Sequence, residues 1–380
     1  PDPLLPPAVL RALGVPGADF RIGLAAHDLA AALGAPAVVL SHAQRDAAGP
    51  VIPSRFVMRV RALLGDQAGL HEEKEALRLA RLMDDAPPAP PYPQPAPLPS
   101  AEQRLVDISA TALDRLRSDP YQFYAAKILR LESLNGLDAQ PDARQQGEVA
   151  HTILERWQRD GGDLLAIAED ELDRLSAHPL MRSLWRPRLA RALQWIGAEV
   201  ERLAGEGRMV AATEAWGSME FDGVRVFGRA DRIDTMPGGK LAIVDYKTGG
   251  PPSGSEVEAG YALQLGTLGL IAQAGGFKGI AGEPERFEYW SLGRSKRKDD
   301  LPFGYVSEPV KEGQKRSGIP RDAFLPETAR FLKDAIDRWI KGEEAFTARL
   351  NPDVGGYNDF DQLMRLEEWM GRSGNGEVAP

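Results

Sequence analysis

One stretch constrains the fold of this chain more than any other: GRADRIDTMPGGKLAIVDYKTG, residues 228–249. The apolar residues on either side of MPGG predict two antiparallel strands joined by a tight turn. A turn centred near Gly238 brings Asp231 opposite Asp245. Strand alternation then puts Lys247 on the same face as Asp245 and points Tyr246 to the other face. This apolar hairpin therefore ends in two facing carboxylates and an ammonium group.

Two carboxylates beside the backbone carbonyl of Tyr246 are ligands that suit Mg²⁺ or Mn²⁺. Such a cation activates water and stabilises charge on a leaving oxygen, so the pattern indicates phosphodiester hydrolysis. Lys247 would orient or deprotonate the water, or offset charge on the phosphate. The alternative is a structural ion pair, which is what an Asp-x-Lys pair at a strand end most often is. The facing Asp231, the preceding Gly228 and the apolar LAIV run favour a site.

A proline-rich segment, PPAPPYPQPAPLP at residues 87–99, divides the chain. We predict an incomplete α/β domain over residues 1–85, an extended linker over 86–100, and a second domain over 101–380. In the second domain the periodicity predicts the element order α, β, β, β, α, β, α. The first segment lacks an initial Met, and we expect it to be part of something longer.

Composition and motifs exclude several classes of protein. The chain contains no Cys, so disulfides, thiolate nucleophiles and iron–sulfur clusters are ruled out. A net charge of −9 restricts any nucleic-acid contact to a local groove. No apolar run reaches the length of a membrane span. The sequence shows neither a signal peptide nor a P-loop. We expect the reducing cytoplasm to be the compartment of this protein.

The motifs GRADRID, VDYKTG, GEVAHTILERW and QLGTLGL resemble successive motifs of the RecB-like branch of the PD-(D/E)XK nucleases. The resemblance implies a mixed central β-sheet flanked by helices, and metal-dependent cleavage of DNA. It implies that the metal ligands are His151, Asp231, Asp245 and the carbonyl of Tyr246. It further implies that Lys247 is catalytic and that Gln264 helps to position Lys247 or DNA.

Other interpretations stay open at three positions in or near these motifs. His151 follows Gly147 by four residues, which favours a ligand, although a packed core histidine is the alternative. Leu268 stands where the family usually has Tyr, which puts a DNA-contacting role of that motif in question. Glu214 is a further acid on the preceding strand, and we expect it to be an exposed strand residue.

Over most of its length the chain resembles the AddB family, the second subunits of bacterial AddAB helicase–nucleases, with residues 1–85 resembling the end of an inactivated helicase-like domain. The resemblance implies a DNA exonuclease in double-strand-break repair and homologous recombination, with an AddA-like helicase subunit as partner. The alternative is a non-catalytic scaffold that binds DNA and that helicase. Many relatives hold an iron–sulfur cluster, but Asp119 occupies the first Cys position. We therefore expect closure by packing of Tyr357, Phe360, Leu363 and Trp369 on the helix around Tyr121 and Phe123.

Two basic clusters are candidates for phosphate contacts. The first comprises Arg294, Lys296, Arg297 and Lys298, and the second is MRSLWRPRLAR, residues 181–191. The alternative for each is a solvated surface. Tyr289 and Trp290 could stack on bases, although strand alternation requires at least one of them to be in the core.

Overall fold

The computed structural model describes residues 7–14, 18–85, 92–132, 143–174, 179–295, 303–313, 317–351, 354 and 358–370. The chain forms two compact units, Pro1–Pro90 and Pro91–Pro380, which divide within the predicted linker. The identities proposed for residues 1–85, 86–100 and 101–380 remain predictions. In the described part of the chain, every helix is too short or too polar to cross a membrane.

The first unit is mainly helical. Its elements are α1 (Pro7–Ala12), α2 (Ala18–Ala32), β1 (Arg45–Asp46), β2 (Gly49–Pro50), α3 (Arg55–Leu64), a 3₁₀ segment (Gly65–His71) and α4 (Glu75–Asp84). Strands β1 and β2 form a short antiparallel pair. Wherever burial is described in this unit, no side chain is fully buried. The described residues of this unit therefore do not form a hydrophobic core of their own.

The second unit is a mixed α/β structure. Its helices are α5 (Ala101–Arg104), α6 (Ala110–Ser118), α7 (Pro120–Phe123), α8 (Ala143–Asp160), α9 (Leu164–Arg174), α10 (Pro179–Gly205), α11 (Gly254–Glu258), α12 (Gln264–Gln273), α13 (Arg321–Ala335) and α14 (Leu366–Trp369), with π-helical turns at Tyr124–Ile128 and Ile336–Ile340. Its strands are β3 (Ile108–Ser109), β4 (Met209–Phe221), β5 (Val224–Met236), β6 (Lys240–Lys247), β7 (Glu283–Arg294), β8 (Phe303–Ser307), β9 (Val310–Lys311) and β10 (Ile319–Pro320).

Six strands form one mixed sheet in the order β3-β5-β6-β7-β8, with β4 also paired to β5. Strands β4, β5 and β6 are antiparallel neighbours, β6 and β7 are parallel, and β7 and β8 are antiparallel. The hairpin pairs Arg232 with Val244 and Met236 with Lys240. The predicted register of this hairpin is confirmed.

The sheet separates two hydrophobic layers because β6 is apolar on both faces. Leu241 and Ile243 belong to the cluster formed with α6, α12 and α13. Val244 and Tyr246 belong to the cluster formed with α8, α9 and α10. A strand covered on both faces reads as a continuous apolar run, which is what LAIV is. The predicted fold, a mixed central sheet flanked by helices, is confirmed. The predicted order lacked β3 and β8 of this sheet, and also the short separate pair of β9 and β10.

Segments from both ends of the second unit pack together. The carbonyl groups of Pro95 and Pro97 accept hydrogen bonds from the N–H groups of Ala348 and Phe346, at 2.8 and 3.0 Å. This part of the proline-rich stretch is therefore paired with the folded unit.

The predicted closing contacts are borne out only in part. Phe360 is buried and Trp369 packs against the cluster that contains Tyr121. The prediction for Leu363 was wrong, because 46% of this residue is exposed. Tyr357 lies outside the described residues.

Candidate active site

The site forms where β5 changes partners along one edge. Strand β4 pairs along one edge of β5 over nearly its whole length. Strands β3 and β6 therefore pair with different parts of the opposite edge of β5. Strand β3 pairs with Val226 and Phe227, and β6 pairs from Arg232 onward, so Asp231 lies beside the last pair of the β5–β6 ladder. The Asp231 carboxylate, through Oδ2, accepts the N–H of Tyr246 at 2.8 Å. This bond fixes the carboxylate at the point where the two strands separate.

Helix α12 approaches β5 closely at this point. A Cβ added to Gly228 would lie 2.7 Å from Cδ2 of Leu268 and 3.2 Å from Cβ of Ala110. Only glycine allows this spacing without displacement of its neighbours. Leu268, at the position where the family resemblance leads us to expect Tyr, is fully buried in this contact. It packs in the core, where it is out of reach of a nucleic acid.

Asp245, Lys247 and Gln264 form one hydrogen-bonded group. The ammonium of Lys247 lies 2.8 Å from Oδ2 of Asp245. The Gln264 side chain donates to Oδ1 of Asp245 at 2.6 Å and accepts from Lys247 at 3.1 Å. Gln264 is the first residue of α12, so the helix start delivers its amide to the end of β6. The structure thus brings together three residues that the sequence predicted to act together.

His151 approaches Asp231 from α8, which packs on the opposite face of the sheet from α12. Its Nδ1 lies 3.6 Å from Oδ1 of Asp231 and 3.4 Å from Oε1 of Glu214. Ligand atoms of these three residues all lie within 4.8 Å of one another. The candidate cation site therefore comprises His151, Glu214 and Asp231, with Asp245 beside it.

The expectation that Glu214 is an exposed strand residue was wrong. Only 10% of its side chain is accessible, and Arg229 holds its Oε2 at 2.9 Å. The backbone of Glu214 is left-handed, with φ 49°, in a strand whose register shifts between Val210 and Ala212. The pairing of β4 with β5 keeps one register from Thr213–Arg232 to Ala215–Ala230, which sets Glu214 opposite Asp231. The sequence identified Glu214 as a further acid but placed it at the surface, because the register of β4 against β5 was not predicted.

Burial and like charge dominate the electrostatics of the site. Burial raises the pKa of Asp231 to about 7, and the charge of Asp245 adds to that effect. Burial lowers the pKa of His151, but the hydrogen bond to Glu214 and the nearby carboxylates more than offset this, so the pKa is raised. The same balance raises the pKa of Lys247, where Asp245 outweighs burial. Lys247 is therefore cationic at neutral pH.

Asp114 is a further residue near the site that sequence reasoning missed. It lies on α6, and its Oδ1 accepts the N–H of Leu263 at 2.6 Å, directly before Gln264. Burial raises its pKa to about 7. A carboxylate at a helix start stabilises the unpaired N–H groups there. Asp114 therefore fixes the end of α12 that carries Gln264, and nothing in its local sequence signals this role.

The donor atoms fit a divalent cation. One imidazole and two carboxylates are grouped, and oxygen ligands of this kind suit Mg²⁺ and Mn²⁺. Oδ2 of Asp245 and Oε2 of Glu214 are buried without a hydrogen bond, although each has a cationic neighbour. Whether the Tyr246 carbonyl is a ligand remains a prediction. The Tyr246 side chain points away, to Gln158, as strand alternation predicted.

The residues predicted to contact nucleic acid differ in whether they are exposed. Arg294 is exposed at the end of β7, whereas Lys296, Arg297 and Lys298 lie outside the described residues. Tyr289 and Trp290 are both buried, at 1% and 0% exposure, so neither is available to stack on a base.

Comparisons with known proteins identify the family. The sequence profile of the PD-(D/E)XK nuclease superfamily matches residues 107–352. An uncharacterized protein of Rickettsia bellii is 26% identical over 182 residues, which are 45% of this chain and 22% of that protein. An uncharacterized protein of Rickettsia conorii is 28% identical over 187 residues, with the same coverage of both chains. The matched part thus spans about a fifth of the length of these curated relatives.

Among solved structures, a provisionally named exonuclease of Eubacterium rectale aligns with 69% of this chain and 95% of its own. The sequence identity is 14% and the TM-score is 0.36. The assignment rests on the sequence profile, which matches well over half of the chain and includes every residue of the site. The chain belongs to the PD-(D/E)XK nuclease superfamily.

Proposed function

We propose that this protein is a Mg²⁺- or Mn²⁺-dependent exodeoxyribonuclease that hydrolyses phosphodiester bonds. The observation that carries the proposal is the meeting of Lys247 and Asp245 with the group of His151, Glu214 and Asp231 at one sheet edge. Ammonium, carboxylate and imidazole groups converge there, in a chain of a nuclease superfamily.

His151, Glu214, Asp231 and Asp245 would hold the cation. When bound, it supplies a water of lowered pKa and positive charge near the leaving oxygen. Lys247, held by Asp245 and Gln264, would direct its ammonium at the attacking water or at the phosphate. Because Lys247 remains protonated, its part is to orient and stabilise charge; an adjacent basic group would accept the water proton. Partial burial of the site strengthens each of these electrostatic interactions.

DNA as substrate, exonucleolytic cleavage and a role in double-strand-break repair are supported by the resemblance to AddB-type subunits. On the same ground we propose a cytoplasmic helicase–nuclease complex with an AddA-like subunit. The rival function is a scaffold with a nuclease-like fold that binds DNA and the helicase without cleavage. An intact Asp231, Asp245 and Lys247 set favours the nuclease.

The test is cleavage of end-labelled single-stranded DNA in Mg²⁺ or Mn²⁺ by the wild-type chain and by Lys247→Ala. We expect loss of about 10²–10³-fold in rate for the variant, the usual effect of removing one positioned charge. Lys240→Ala is a matched control, because Lys240 is at the opposite end of β6, where it pairs with the exposed Glu283. Metal binding without cleavage by the wild-type chain, alone and with the helicase partner, would favour the scaffold.

A further inference from the structure

A cavity of about 520 Å³ lies beside the candidate active site. Its walls come from α8, α10, the residue after β6, the end of β7 and the start of β8. They include Gln146, Trp185, Arg188, Arg191 and Thr248. A cavity of this volume is within the range that binds a small organic ligand, which is also the size class of one nucleotide.

The charged side chains that the structure describes in the cavity wall are all cationic. Among the described residues that line the cavity are three guanidinium groups, those of Arg188, Arg191 and Arg294, and no carboxylate. In the part of the chain that the structure describes, none of the three has an ion-pair partner. The same helix, α10, shows the contrast, because Arg186 is paired with Glu169. Exposed guanidinium groups without a carboxylate are suited to bind phosphate oxygens.

Two aromatic side chains complete the cavity. Trp185 and Phe303 are half-buried; each packs on the core cluster beneath it and also lines the cavity. Cationic groups that contact phosphates, together with aromatic rings on which bases stack, are what proteins use to bind single-stranded nucleic acid. A paired duplex keeps its bases stacked on one another, so these rings favour an unpaired strand.

The position of the cavity ties it to the reaction. Thr248, in its wall, directly follows Lys247. Gly147, next to Gln146 on α8, precedes His151 by about one helical turn, and a Cβ added to Gly147 would lie 3.7 Å from Oγ1 of Thr248. This part of α8 therefore borders both the cavity and the candidate cation site.

We infer that this cavity binds the nucleotide next to the phosphodiester at the metal site, as part of a single-stranded nucleic acid. Arg188, Arg191 and Arg294 would contact its phosphates, and Trp185 or Phe303 would stack on its base. The inference rests on the proposed function for its orientation, but the binding of a strand can be measured without cleavage.

The test is the affinity of the full chain for fluorescein-labelled oligo(dT) in EDTA, measured by anisotropy over a series of salt concentrations. Each lost phosphate contact should reduce the slope of log Kd against log salt by about 0.7, so Arg188→Gln with Arg191→Gln should reduce it by about 1.4. Arg186→Gln is the matched control and should leave the slope unchanged. An unchanged slope in the double variant, or an equal fall in the control, would overturn the inference.

A second variant tests the aromatic wall. Trp185→Leu should weaken oligo(dT) binding about tenfold with little change in slope, because stacking releases no counterions. An unchanged affinity would remove Trp185 from the binding site. Near-ultraviolet circular dichroism of each variant checks that the core beneath the ring is intact.

Cleavage of the same oligonucleotide in Mn²⁺ separates this inference from the proposed function. If the wild-type chain binds with the expected slope changes and does not cleave, the proposed function fails and the cavity assignment stands. If it cleaves, and neither KM nor the slope responds to Arg188→Gln with Arg191→Gln, only the cavity assignment fails.

Discussion

Gln264 joins the two charged residues at the end of β6: its amide donates to Asp245 at 2.6 Å and accepts from Lys247 at 3.1 Å. The Lys247 ammonium is therefore held from two sides, by a carboxylate and by an amide that a separate helix supplies. This matters because an aliphatic lysine chain has many rotamers, and its charge acts on a reacting phosphate only from a defined position.

The first prediction concerns this positioning. Gln264→Ala should lower kcat for DNA cleavage by about 10–100-fold, the usual effect of losing a residue that orients a functional group. The loss should be smaller than that of Lys247→Ala, because the Asp245 contact remains. Gln273→Ala, at the exposed far end of the same helix, is the control. Equal rates for Gln264→Ala and the control would contradict the positioning role.

The second prediction concerns Glu214 as a cation ligand. Its Oε1 lies 3.4 Å from Nδ1 of His151, within the grouped donor atoms. Glu214→Gln should weaken Mn²⁺ binding at least tenfold in calorimetry, because a charged ligand is replaced by a neutral one. Glu220→Gln, an exposed position on the same strand, should bind as the wild type does. Equal affinities for both variants would leave Glu214 outside the metal site.

The sequence predicted the hairpin and its register because both depend on local turn chemistry and on the two-residue period of a strand. Asp231, Asp245 and Lys247 were expected to face one another for that reason, whereas Gln264, on a separate helix, was expected at the site only from the family resemblance. Glu214 was named as a further acid but expected to be exposed, because the register of β4 against β5, which sets it opposite Asp231, was not predicted. Asp114 was missed because its contact with Leu263 joins residues far apart in the chain.

The third prediction is a pH dependence of stability in the metal-free protein. The folded state holds a proton on Asp231 up to a pH of about 7, whereas the unfolded chain releases it near the usual value of 3.8. The folded state therefore binds more protons across this window, so the free energy of unfolding falls as the pH rises from about 4 to about 7. The raised pKa of His151 acts in the same direction at somewhat higher pH.

Urea unfolding in EDTA, measured across this range, checks that prediction. Because the amide does not titrate whereas Asp114, whose pKa is also raised to about 7, still does, Asp231→Asn should make the fall in stability smaller without abolishing it. Added Mn²⁺ should also reduce it in the wild type, since the cation binds the carboxylate form and stabilises the folded state. If the urea midpoint in EDTA changes between about pH 4 and about pH 7 in the same way for Asp231→Asn as for the wild type, the assigned pKa shift of Asp231 is contradicted.

The fourth prediction concerns a buried ionic network beneath the β5–β6 hairpin. Asp234 is fully buried and accepts from Arg208 at 2.7 Å and from Arg232 at 2.6 Å. Arg208 also donates to both carboxylate oxygens of Glu288, at 2.8 and 2.9 Å. Asp234→Ala leaves two buried guanidinium groups short of a counter-charge. It should lower the free energy of unfolding by about 3–5 kcal/mol, measured by urea denaturation.

The control for this network is the exposed pair of Asp107 and Arg225, whose side chains are each about half accessible. Asp107→Ala should cost less than about 1 kcal/mol, because water screens an exposed pair. The difference between the two variants isolates the effect of burial from that of charge. If Asp234→Ala lowers the free energy of unfolding as little as Asp107→Ala does, then Glu288 and the other neighbours are enough to stabilise Arg208 and Arg232. Asp234 would in that case be dispensable to the hairpin that carries the site.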